Sequence, residues 1–186
     1  MLEVSIHLAS QRQAAGLIPP GSTTFHLLLA VHIVAAALTC VVTGAIAALS
    51  PKHPGHHPRL GTLYYRSLTV VVTSAAWLAA LHWPQDAYLL VLGTLSIAAA
   101  TLGRTARRRR WCWQRWRWIG LHLGGMSASY ILLLTAFYVD NGKHLPVWRS
   151  LPHLPYWLLP SAVGLPLVAR ALARHHGLAT RRPTPT

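Results

Sequence analysis

Carboxylates are almost missing from this chain of 186 residues, where Glu3, Asp86 and Asp140 are the only acidic side chains. A pair of carboxylates sharing general acid and base work is therefore not expected. A Ser-His-Asp arrangement likewise has no buried acid to orient its imidazole. Cysteine is as scarce: Cys40 lies in an apolar run and Cys112 in a basic one, which makes neither a disulfide framework nor a paired metal motif. No phosphate-cradling glycine loop of the P-loop type occurs, and no repeat at a fixed period. The first 24 residues lack the compact basic region, short apolar region and small-residue cleavage site of a signal peptide. The long apolar run after them is thus expected to stay in the mature protein.

What the chain has instead is hydrocarbon and positive charge. With 53% hydrophobic and only 11% charged residues it is too apolar for a soluble domain of this length, and one helical bundle in a bilayer fits. Its 17 Lys and Arg give a net charge of +14. Seven arginines and four tryptophans are packed into Arg104 to Trp118, between two apolar runs. Clustered arginine in a short loop stays on the cytoplasmic side, and tryptophan beside it suits the headgroup layer. Basic residues interleaved with aromatics can also hold nucleic acid, but hydrophobic flanks on both sides assign this stretch to the membrane surface. Arg107, Arg108, Arg109 and Arg110 are expected to bind anionic lipid at that face.

The apolar runs predict an all-α polytopic transmembrane bundle of five spans, about 25–49, 63–83, 87–102, 118–139 and 154–173. An extracytoplasmic segment 1–24 precedes them and a cytoplasmic tail 174–186, polar and expected to be disordered at its end, follows. The second and third spans form an antiparallel hairpin across Pro84. The third is near the lower length limit, and the fifth is interrupted by Pro155, Pro160 and Pro166. In span four, Gly120, Gly124 and Ala128 lie four apart and offer a small-residue face to a neighbouring helix. With the arginine loop inside, fourteen basic residues fall inside and only Arg12, Lys143 and Arg149 outside. That asymmetry predicts an outer amino terminus and an inner carboxyl terminus in the cytoplasmic (inner) membrane of a bacterium.

Twelve histidines make ligand chemistry the first functional question, since neutral imidazole binds haem iron, copper, zinc and nickel. Most lie in loops or at span ends, where a solvated polar residue is the plain account. His32 and His122 lie inside apolar spans, where a polar side chain marks a functional-site hypothesis by default. Their depths, ~10 Å from the outer end and ~6 Å from the inner end, put them in opposite leaflets. In a ~30 Å core one ion cannot bind both. His57 lies on the inner side with His122, so His57 and His122 are the expected cofactor-binding pair, with Tyr64 or Ser129 as supporting partners. The expected metal ligands are His32, His57 and His122. The competing account for each is a hydrogen bond between helices through Ser, Thr or a carbonyl. At the outer end of span four, Asp140 and Asn141 are placed to join His144 or His82.

Two segments resemble a known family. They are His57-Pro58-Arg59-Leu60-Gly61-Thr62-Leu63-Tyr64, and His122 followed by Met126, Ser129-Tyr130-Ile131, Thr135-Ala136-Phe137, Val139 and Asn141. Both are similar to the uncharacterised bacterial membrane family known as domain of unknown function 2306, with its loop pattern H-R-R-L-G-R-x-Y and later helix pattern H-x-x-x-M-x-x-S-Y-I. His32-Ile33 in the first span is a weaker match, and the resemblance covers about Phe25 to Asn141. Pro58 and Thr62 depart from basic positions of the loop pattern, and Ala36 stands where a glycine is common. The resemblance implies a small polytopic membrane protein without a settled activity. Its histidine-bearing helices look loosely like those of membrane b-type cytochromes.

These features lead to one favoured expectation and two competitors. The favoured one is a membrane protein that binds haem b or a transition metal through its histidines, for redox or electron transfer. The second is a non-enzymatic component whose histidines and glycines pack helices while the arginine loop docks lipid or a partner protein. The third is a transporter of a small solute or ion, although no charged residue near the midplane of the first four spans marks a pathway. The sequence itself assigns no protein partner and no homo-oligomer.

Overall fold

A computed structural model describes residues 23–46, 55–81, 86–109, 115–146 and 149–180. Most of the expected extracytoplasmic segment, Lys52, His53, His82, Arg110, Cys112 and the tail from Arg181 lie outside the described residues. Among those described, every regular element is helical: α1 (Thr23–Ala37) continuing into a π-helical stretch (Leu38–Ala45), α2 (His56–Leu81), α3 (Ala87–Arg108), α4 (Arg115–Asn141) with a terminal 3₁₀ turn (Gly142–His144), and α5 (Leu154–Thr180).

Three of these helices are long and apolar enough to cross a bilayer: Ala87–Arg108, Arg117–His144 and Leu154–Arg174. They correspond to the third, fourth and fifth expected spans. The third, expected to be the shortest, is extended because the helix continues through Arg104, Arg107 and Arg108. There, at the carboxyl end of α3, the last two arginines face the negative end of the helix dipole. The fifth is one helix through Pro160 and Pro166. Pro155 sits in its first turn, where the missing N–H costs no intrahelical bond. Of the other two expected spans, α1 is a shorter apolar helix of 15 residues. α2 has the length but also carries Arg59, Arg66, two tyrosines and several hydroxyl residues. It begins at His56, so His56 and His57 belong to its first turn and not to a loop. Gly55, just before it, has φ 107°, a conformation that glycine adopts without a Cβ penalty.

The chain divides into two compact units, Met1–Val91 and Leu92–Thr186. In the first, α1 and its π-helical extension both pack on α2. A short connection and a bond from His32 to Ser74, late in α2, make the pair antiparallel. Their seam is polar: Thr39, Thr43, Ser67 and Ser74 are buried there beside Tyr64, Leu68 and Val71. Hydroxyl bonds accompany the π-helical stretch. Thr39 Oγ donates to the Ala35 carbonyl at 2.6 Å, and Thr43 Oγ lies 3.2 Å from both the Leu38 and Thr39 carbonyls. These hydroxyls supply donors to carbonyls of a turn that is wider than an α-turn.

In the second unit α3 buries Leu92, Ser96, Ala100, Gly103 and Ala106, a stripe at helical spacing made mostly of small side chains. Against it α4 sets Gly125 and Ser129. A Cβ on Gly125 would fall 2.7 Å from the Ala99 carbonyl oxygen and 2.9 Å from Gly103 Cα, so the two backbones are in direct contact. Gly120 and Gly124 face open space, and Ala128 is exposed. The small-residue face expected at Gly120, Gly124 and Ala128 is thus corrected to Gly125 and Ser129, rotated by one residue or ~100°. On its other side α4 meets α5: Ile131 fills the space over Gly164, and Tyr156 stacks on Gly142.

Candidate functional site

His32 and His122 are each held by the helix next to them. His32 Nδ1 lies 2.9 Å from Ser74 Oγ. The single Ser74 hydroxyl proton is directed at the Val70 carbonyl, 2.7 Å away, with the Val71 carbonyl at 3.0 Å. With that proton so used, Ser74 accepts from the imidazole. His122 Nδ1 lies 2.9 Å from the Gly103 carbonyl oxygen, which also can only accept. The carbonyl requires the proton on Nδ1 of His122, and the Ser74 bonds favour the same tautomer for His32; in that neutral ring the basic lone pair is on Nε2. The two bonds tie α1 to α2 and α3 to α4.

Backbone contact explains the second tie. His122 is three residues before Gly125, and a Cβ on Gly103 would lie 3.1 Å from the His122 carbonyl and 3.0 Å from the Met126 nitrogen. Only with two glycines at the crossing does α4 approach closely enough for an imidazole to reach a carbonyl inside α3. Four residues further along α4, Ser129 repeats the pattern: Ser96 Oγ donates to the Ser129 carbonyl at 2.9 Å and lies 3.1 Å from its hydroxyl. Ser129, expected to support His122, thus meets Ser96, and the support of His122 is the Gly103 carbonyl. None of Ser74, Ser96, Gly103 and Gly125 stood out in the sequence reading. The signal that would have found three of them is the four-residue spacing of small side chains, Ser96 with Ala100, Ala99 with Gly103, and Gly125 with Ser129.

The expected ligands are distributed as follows. His57 is half-buried in the first turn of α2, with Nδ1 shielded from the surface. His32 meets the same helix at Ser74, seventeen residues on, or ~25 Å along the axis at 1.5 Å per residue. These two do not share a coordination shell. His57 and His122 belong to different units. Among the described residues no three His, Cys, Asp or Glu side chains form a group that could hold a metal ion. At the carboxyl end of α4, Asn141 Nδ2 donates to Asp140 and to the Phe137 carbonyl, each at 3.2 Å, while His144 is exposed. His153 packs edge-on to Tyr156 with ring centroids 5.7 Å apart. Of the four expected lipid-binding arginines, Arg107 is half-buried and Arg108 and Arg109 are exposed at the end of α3.

No family model, no curated protein and no solved structure matches this chain. The resemblance to domain of unknown function 2306 therefore rests on the two sequence motifs.

Proposed function

We propose that this chain is a non-enzymatic, multi-pass component of the bacterial inner membrane, with five spans, its amino terminus outside and its carboxyl terminus inside. In this reading His32 and His122 are helix ties, and Arg107 to Arg110 fix orientation and hold anionic lipid. The observation that carries it is that each membrane histidine spends its Nδ1–H on a polar atom of the adjacent helix. Hydrogen bonds of this kind contribute ~0.6 to 2 kcal/mol each between membrane helices. Reporter fusions at both termini test the topology, and two ends on one side would eliminate five spans. Replacing Arg107 to Arg110 by Gln should disturb insertion or weaken retention of anionic lipid.

One observation favours a second reading, in which the same histidines bind haem b or a transition metal, with His57 contributing on the inner side. An Nδ1–H held by a carbonyl or hydroxyl is how ligating imidazoles are usually oriented, and it leaves the Nε2 lone pair for the metal. Bound haem would supply one-electron chemistry, and this chain would supply the axial nitrogen and its orientation. Asparagine separates the readings, because its side-chain amide reproduces the Nδ1–H donor and offers no imidazole nitrogen. His32→Asn and His122→Asn should keep the helices together in the first reading. A haem spectrum or stoichiometric metal in purified wild-type protein, lost in these variants, would establish the second reading and displace the first.

A further inference from the structure

The seam between α1 and α2 leaves a groove on one side. We propose that this groove seats an acyl chain of an anionic phospholipid whose phosphate is held by Arg66. Its volume is about 480 Å³, within the range of small-molecule sites, and Ala30, Val31, Val34, Leu38 and Val70 give it hydrocarbon walls. Several of these side chains are open to the surroundings, Val34 at 68% and Val70 at 42% exposure, so the apolar lining is uncovered by the rest of this unit. Arg66 lies in the same wall.

Charge decides what kind of molecule covers it. Neither α1 with its π-helical extension nor α2 contains an Asp or Glu, so the Arg66 guanidinium has no carboxylate on the helices that form the groove. An exposed cation set in an apolar wall is countered at least cost by an anion that is itself joined to hydrocarbon. A phosphate offers the planar guanidinium paired acceptor oxygens. Arg59 lies two turns earlier on the same exposed stripe, along with Leu63, Val70 and Trp77, so a headgroup at Arg66 is within a basic track that leads to the start of α2.

The inference rests on the reading of α1 and α2 as membrane helices, and the experiment separates the two. Single cysteines at Val31 and Val72 are first challenged with a water-soluble maleimide in intact membranes, and their protection supports the membrane reading of α1 and α2 whatever follows. The purified protein in detergent is then given phosphatidylglycerol, phosphatidylcholine or oleate and examined by native mass spectrometry. One phosphatidylglycerol per chain should be retained in preference to the other two. Arg66→Gln should weaken it about fivefold, the factor equal to ~1 kcal/mol per basic residue at an anionic surface. Arg66→Lys should keep most of the binding, and Val34→Trp should abolish it by filling the groove. Arg108→Gln should leave that lipid in place. Equal retention of phosphatidylcholine, equal retention of oleate, or unchanged binding in both Arg66→Gln and Val34→Trp would overturn the proposal. So would an efficient disulfide between two copies carrying Val34→Cys, which would assign the groove to a second copy of the chain.

Discussion

Between α3 and α4 the backbones touch, with Gly125 set against Ala99 and Gly103, whereas between α1 and α2 the contact is made by side chains, through His32, Ser74 and two buried threonines. The first pairing gains close packing over a stripe of small residues, and its polar links, His122 to Gly103 and Ser96 to Ser129, follow from that closeness. In the second, Gly61 of α2 has open space where a Cβ would lie, and a groove runs along one edge. One unit thus relies chiefly on close packing and the other chiefly on hydrogen bonds. The histidines have the same bond in both, yet only the one on α4 depends on glycine.

The largest effect should come from the glycine contact. Gly125→Ala places a methyl 2.7 to 2.9 Å from backbone atoms that cannot rotate away, so α3 and α4 must separate. A loss of about 1 to 3 kcal/mol is expected in an unfolding titration in detergent, together with loss of the His122 bond. Gly124→Ala, one residue away and facing open space, should be neutral or stabilise slightly through helix propensity. Equal effects from the two alanines would refute the close crossing.

Next in size are the histidine ties. His32→Leu and Ser74→Ala should each cost ~0.6 to 1.7 kcal/mol, and the double variant should cost little more than either single one, because both remove one bond. His122→Leu should cost less than Gly125→Ala, since the α3 and α4 backbones still meet without the imidazole. A His122→Leu loss larger than that of Gly125→Ala would reverse the order of cause assigned to this unit.

Much of the helical plan was legible because apolar runs, Pro51 and Pro84, and the arginine cluster mark helix limits that depend on local composition. Length at the margins was less legible. The third helix runs on through Arg104 to Arg108, since arginine is a good helix former and its charge suits that end, and a hydropathy limit stops short of it. The interior positions of His32 and His122 were readable as polar groups in apolar runs, and so was their account as helix ties. Their partners were not. Gly120, Gly124 and Ala128 compete with Gly125 and Ser129 for the same neighbour, the two faces differ by one residue, and only the packing of α3 against one of them decides which. The π-helical stretch left no advance sign beyond Thr39 and Thr43 at a spacing of four, which an ordinary α-helix also accommodates.

The smallest effect, and the sharpest test of how α1 and α2 are paired, belongs to those threonines. Valine has nearly the shape of threonine and no hydroxyl, so Thr39→Val and Thr43→Val remove only the bonds to the Ala35, Leu38 and Thr39 carbonyls. Each side chain is fully buried against its surroundings, so the methyl that replaces the hydroxyl loses no hydration and keeps the packing. Each replacement should therefore change stability by no more than about 0.6 kcal/mol, the average for a side-chain hydrogen bond between membrane helices. The turn itself should respond more. Without hydroxyl donors the carbonyls regain partners by tightening from the π to the α repeat, which rotates the residues after Thr43 by ~100° relative to α2. A pair of spin labels, one on Ile46 and one on α2 at Leu63, would detect that rotation as a changed distance in the double variant. An unchanged distance would mean that packing on α2, and not the threonine hydroxyls, holds the wide turn.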